Sequence, residues 1–211
     1  MKRVLIISFL VVVIAFNFSA CKSEVKKEEV KVETKDSVKK SSAAFSVANA
    51  KNKINFTAYK TTEKVAVGGQ FKKIDIIAGG EGNSVKEAIN NTAFSIPVSS
   101  IFTKDTSRDF KIKKFFFGIM DNTKLLSGKL TLTDDTTGTA EIKMNGVTKS
   151  VVFTYTITGN VFNMKATMDV NNWNASAALA SLNKACDVLH KGADGVSKTW
   201  NDVALDITTT F

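Results

Sequence analysis

Histidine and cysteine are almost absent from this 211-residue chain, which has one histidine, His190, and two cysteines, Cys21 and Cys186. Without a second histidine or a cysteine pair, His190 makes neither a zinc site nor a nucleophile triad. It stands near the end of an expected helix, where a cation is favoured. Cys21 falls at the end of a targeting segment, so Cys186 is left without a partner and no disulfide framework is expected. On the inner face of that same helix, Cys186 reads as a small core residue, because a reactive thiol needs a polar, thiolate-favouring setting. Basic helices and nucleic-acid motifs are also missing, so a pI near 9.5 does not make the chain a nucleic-acid binder. Asp134 and Asp135 sit in an apparent turn, where aspartate serves the backbone. Hydrolytic and redox chemistry have no candidate constellation, so neither a catalytic nor a metal-ligating residue is assigned. The chain is read as a non-enzyme without a required cofactor.

No apolar run is long enough to span a bilayer comfortably. Lys2 and Arg3 precede the run Val4 to Phe16, and Phe18-Ser19-Ala20-Cys21 follows, which is the layout of a signal peptide over residues 1–20. A cysteine directly after small residues resembles the bacterial lipobox, which implies cleavage before Cys21 and lipid on that cysteine. Lys22 after it is unlike the aspartate that commonly marks inner-membrane retention, so the expected address is the outer membrane of the cell envelope. Residues 21–44 then form a tether: Lys22 to Ser42 holds seven lysines and five acidic residues with no aromatic, too little apolar surface to offset ordering. Twenty such residues place the globular part roughly 25 Å from the anchor. Removing Lys2 and Arg3 leaves 27 basic and 20 acidic residues, a formal charge of +7, suited to solubility and to attraction by an anionic bilayer.

Residues 45–211 are expected to fold as one domain. Strand signals dominate them. Ile54, Phe56 and Ala58 alternate with polar residues, as do Leu126, Leu130 and Leu132, then Ala140, Ile142 and Met144, and a period of two puts each set on one face of a sheet. Asn145-Gly146 fits a two-residue hairpin turn. Gly68-Gly69 marks a bulge or a close backbone approach. Val151, Phe153, Tyr155 and Ile157 make another apolar face, followed by Phe162, Met164, Ala166, Met168 and Val170, and finally by Val203, Leu205 and Ile207. Ser84 and Glu87 have capping-box spacing for a short helix to Asn90. Apolar residues at three-four spacing between Asn174 and Lys191 predict a longer amphipathic helix across one mouth or flank of the sheet.

The stretch Phe94 to Gly118 departs from this pattern. It opens as a strand with Phe94, Ile96 and Val98 on one face, continues through polar Thr103 to Asp109, and ends in Phe115, Phe116 and Phe117. The order Ser100-Ile101, Thr103, Arg108-Asp109, a short basic segment and Phe116-Phe117 resembles the signature of the YceI-like family. The later segment from Lys129 to Thr158, with its Asn-Gly turn, is similar to the second half of that family. The resemblance implies an all-β fold, an antiparallel lipocalin-like β-barrel of about eight strands with one or two short helices. It also implies export, and an interior associated with isoprenoid chains such as those of quinones.

An apolar chain in such a barrel needs a continuous apolar lining with a polar group at one end. Strand alternation supplies candidates: Phe94, Ile96, Val98, Phe115, Phe116, Phe117, Val151, Phe153, Tyr155, Phe162, Met164 and Met168, with Arg108 as the polar end. The bland alternatives are that the rings only plug the core and that Arg108 pairs with Asp109. The expected function is a membrane-tethered protein enclosing an isoprenoid or similar lipid, held at the membrane through its lipid anchor. The alternative is an envelope interaction or stress-related module whose barrel is filled by its own side chains. No sequence feature specifies an oligomer.

Overall fold

Alternation of apolar and polar residues builds the strands of the computed structural model, which describes residues 43–211. The signal-like segment, Cys21 and nearly all of the Lys/Glu-rich stretch lie outside the described residues. The strands are β1 (Phe45–Ser46), β2 (Lys51–Lys60), β3 (Val65–Phe71), β4 (Asp75–Ala78), β5 (Glu81–Gly82), β6 (Ala93–Pro97) and β7 (Ile101–Phe102), then β8 (Leu125–Leu132), β9 (Thr137–Met144), β10 (Val147–Thr158), β11 (Val161–Asp169) and β12 (Asp202–Thr210). Ten of them form one sheet in the order β4-β6-β8-β9-β10-β11-β12-β2-β3-β7, while β1 and β5 pair separately. Every pairing within the large sheet is antiparallel.

The sheet is all-β and lipocalin-like as expected, with ten strands in place of about eight, and it curls into a half-barrel. Ile54 of β2 packs in one cluster with Phe94 and Ile96 of β6, although those strands lie far apart in the sheet order. Curling of this kind follows from the right-handed twist of strands whose one face is apolar. At the β9–β10 turn Asn145 and Gly146 take φ of 51° and 71°, the positive pair that a two-residue hairpin needs. Gly68 and Gly69 stay in register opposite Thr57 and Phe56, without a bulge. A Cβ on Gly69 would lie 2.3 Å from Cζ of Phe56, so the close approach is to a ring.

Among the described residues three α-helices accompany the sheet: α1 (Val85–Ile89), α2 (Thr106–Lys111) and α3 (Ser176–Ala185). Ser84 caps α1, its hydroxyl accepting from the Glu87 amide at 3.2 Å. The polar stretch after Thr103, read from sequence as a linker, is helical because Asp105 caps it by accepting from the Arg108 amide at 3.0 Å. A π-helical turn, Ile112–Phe116, continues it. The longer helix expected from Asn174 to Lys191 starts later and stops at Cys186. Asn174 takes a left-handed φ of 56°, and a tighter 3-10 turn, Asp187–His190, follows α3.

Candidate functional site

The inward faces of the curled sheet enclose an apolar cavity of about 200 Å³. Its walls come from successive alternate positions: Ile54, Phe56 and Ala58 on β2; Phe94 and Ile96 on β6; Leu126 and Leu130 on β8; Ala140, Ile142 and Met144 on β9; Met164 and Met168 on β11; Val203, Leu205 and Ile207 on β12. Ile112, Phe116 and Phe117 cover it from the segment after α2, and Leu179 and Leu182 from α3. Thr199 is the single hydroxyl among the lining residues, beside the amphipathic Trp200. Such a space exceeds the roughly 150 Å³ apolar cavity that binds benzene and stays dry. It is smaller than the roughly 300–1,000 Å³ usual for drug-sized ligands. An apolar chain end therefore fits as the walls stand, and a long chain needs the flexible Met164 and Met168 to give way.

Of the residues picked out by alternation, Phe94, Ile96, Phe116, Phe117, Met164 and Met168 line this cavity. The others do not. Phe153, Tyr155 and Phe162 are buried in a second cluster with Val47, Val85, Ala88 and Ile89, where α1 and the residue after β1 pack onto the strands. Tyr155 is anchored there by donating its hydroxyl to the Asp134 carbonyl at 2.5 Å. Val98 and Val151 are buried in the main cluster with Phe116, Phe117 and Met168 but are not among the lining residues. Phe115 lies outside the lining and stands edge-on to the exposed Phe110 at 6.5 Å.

Arg108 is not among the lining residues. Its guanidinium lies 3.6 Å from the Asp105 carboxylate and does not pair with Asp109, which is buried and accepts from the Thr103 amide at 2.8 Å and the Thr103 hydroxyl at 2.7 Å. Asp109 thus ties α2 to the residue that follows β7, holding the cover in place.

The polar end of the cavity lies where β2 meets the segment after α3. Lys60 is the next inward residue after Ala58 in the β2 alternation, and it bridges Thr199. Its ammonium donates to the Leu189 carbonyl at 2.9 Å, in an exposed bond. Thr199 donates its hydroxyl to Asn183 Oδ1 at 2.9 Å and stands 2.7 Å from Nδ1 of His190. With the Thr199 proton committed to Asn183, Nδ1 of His190 carries the hydrogen of that contact, and Nε2 is the unprotonated nitrogen. Burial, followed by the charges of Lys60, Lys111 and Arg108, pushes the His190 pKa down. Burial pushes the Cys186 thiol up, consistent with a core role.

Alternation on β2 and β12 and the apolar stripe of α3 pointed inward without marking those residues as lining. Thr199 and Trp200 carried no sequence signal, since they lie in an irregular segment.

The YceI-like domain model matches residues 45–211. A polyisoprenoid binding domain from Saccharophagus degradans, implicated in plant cell wall breakdown, is a similar solved structure, with 12% identity, a TM-score of 0.54, and coverage of 75% of this chain and 91% of that one. BcnA of Burkholderia cenocepacia is another, with 14% identity, a TM-score of 0.51, and coverage of 76% and 96%. At such identities these likenesses bear on fold. No curated protein sequence matches the chain. The match over nearly the whole described region, on a curled antiparallel sheet around an apolar interior, shows that this chain belongs to the family of YceI-like domains.

Proposed function

We propose that this protein binds the apolar chain of a lipid inside the curled sheet, as a carrier or reservoir and not as an enzyme. The observation that carries the reading is the cavity itself, whose lining is apolar on every side except at Thr199. Each CH₂ withdrawn from water gains about 0.8 kcal/mol there. Among the described residues no group of three or more His, Cys, Asp or Glu side chains could hold a metal ion. The polyisoprenoid binding domain of similar fold supports an isoprenoid or comparable branched chain as the ligand class.

Membrane tethering belongs to the same proposal. Cys21 carries the lipid, residues 22–44 act as the spacer, and the outer membrane is the address. Fatty-acid labelling that is lost in Cys21→Ser, with wild-type protein in the outer-membrane fraction, is the expected outcome; unlabelled wild type or recovery wholly in the inner membrane overturns it.

Ligand binding is tested by native mass spectrometry of the exported protein carrying Cys21→Ser, purified without detergent. A copurifying lipid mass is expected, and Met164→Trp is expected to reduce it while the fold survives. A parent that never carries lipid, together with a Met164→Trp variant that loses stability, would show a solid interior and refute the binding reading.

A further inference from the structure

Lys60, Thr199, Asn183 and His190 form a polar rim where the cavity wall passes to solvent, and its charge is not balanced. Ile54, Phe56 and Ala58 line the cavity from one face of β2, and the same alternation makes Lys60 the next residue of that row. Among the described residues neither Lys60 nor Lys111 has a carboxylate within ion-pair distance, whereas Arg108 is paired with Asp105 and Lys191 with Asp187. Lys198, next to Thr199, turns its ammonium onto the Trp200 ring at 3.5 Å from the centroid. The thiol of Cys186 adds no charge while protonated. Two cations without carboxylates therefore flank one neutral imidazole at the polar end of an otherwise apolar cavity.

Resting on the reading of this cavity as a lipid site, we propose that the rim is a head-group subsite for an anionic single-chain amphiphile, a carboxylate or a phosphate monoester. The chain enters past Thr199 at the end of β2, and the anionic oxygens meet the Lys60 ammonium and Nε2 of His190 at the rim. Nε2 lacks a protein partner among the described residues. An unprotonated Nε2 accepts hydrogen bonds and repels an anion, so an anion binds with uptake of one proton at that nitrogen. Burial and the cations that hold His190 neutral when the site is empty are then opposed by the ligand's own charge. A neutral alcohol of the same chain length has no such effect. It donates to Nε2 and leaves the ring neutral.

The chain contains one histidine, so its Hε1 resonance reports on this rim without overlap from another imidazole. The exported protein carrying Cys21→Ser is titrated with dodecanoate and dodecyl phosphate below their micelle-forming concentrations and with dodecanol below its solubility limit. The anions are expected to bind roughly tenfold more tightly than dodecanol at low salt, as for one or two partly exposed ion pairs, with the advantage shrinking at high salt. They are also expected to move the His190 titration upward, while dodecanol does not. Lys60→Met is expected to remove most of the anion preference and leave dodecanol affinity within about twofold, since the change keeps the aliphatic stem. If dodecanoate outcompetes dodecyl phosphate the head group is a carboxylate, and the reverse order assigns a phosphate; either supports the subsite. Equal affinities for all three ligands with an unmoved histidine signal overturn the subsite and leave the cavity reading standing. Failure of all three to bind overturns both.

Discussion

Ala58→Leu separates an interior with room in it from one that is already packed. Ala58 lines the cavity from β2, and leucine adds three carbons that must enter a space of about 200 Å³. Withdrawing three such groups from water gains about 2.4 kcal/mol at about 0.8 per methylene, and freezing the leucine rotamer costs roughly 0.5–1. The ligand-free protein is therefore expected to gain about 1.5 kcal/mol. For a domain of this length about 2–4 °C of Tm accompanies each kcal/mol, so calorimetry should show a rise of about 3–6 °C. The same three carbons occupy room that a bound chain would use. Dodecanol affinity is expected to fall by about 2 kcal/mol, roughly 30-fold, by isothermal titration. Stabilisation with weakened binding is thus the signature of a lumen. A lowered Tm, matching the roughly 1–3 kcal/mol cost of overpacking, with unchanged dodecanol affinity would refute the reasoning.

Asp109→Ala leaves the buried Thr103 amide and hydroxyl without the carboxylate they donate to, and urea unfolding should show a loss of about 1.5–3 kcal/mol. Asp134 has its pKa lowered to about 2, chiefly by the Thr137 hydroxyl and then by the Thr136 and Thr137 amides. A carboxyl lowered in the folded state stabilises it above the unfolded value of roughly 3.9 and loses that contribution as pH falls toward about 2. Asp134→Asn should therefore flatten the acid limb of Tm between about pH 4 and 2. The depressed His190 pKa acts in the same direction at a higher pH, because a pKa lowered in the folded state makes the unfolded chain the tighter proton binder for an acid and a base alike. The unfolded chain binds the proton first, so stability should fall as pH drops below about 6.5, and His190→Asn should remove that slope in pH-dependent thermal melts. Gly69→Ala puts a Cβ 2.3 Å from Cζ of Phe56, which drives that cavity-lining ring inward, so dodecanol affinity should fall several-fold by the same titration that tests Ala58→Leu.

Much of the architecture is written locally along the chain. Period-two alternation identified the strands, because in an antiparallel sheet with one buried face each residue's side is set by its own place in the strand. Asn145-Gly146 named its turn through the backbone freedom those residues have, and Ser84 named its cap through a hydroxyl that reaches an amide three residues on. The resemblance carried by Ser100 to Phe117 pointed to the family that the match over residues 45–211 shows. Alternation tells which face a residue takes and nothing about how far along the interior it sits. Met164 and Phe162 both face inward on β11, yet Met164 lines the cavity and Phe162 is sealed beneath α1. That difference depends on what the α1 segment packs into that end, a contact between residues some seventy positions apart. The same limit applies to Phe115 and Phe116, neighbours of which only the second lines the cavity, and to Arg108, drawn to its own cap residue Asp105. Thr199, Trp200 and His190 meet Lys60 only because the irregular segment before β12 folds back across the end of β2. The strands are a property of the sequence read a few residues at a time; the cavity and its charged rim exist only once the curl of the sheet brings distant segments together.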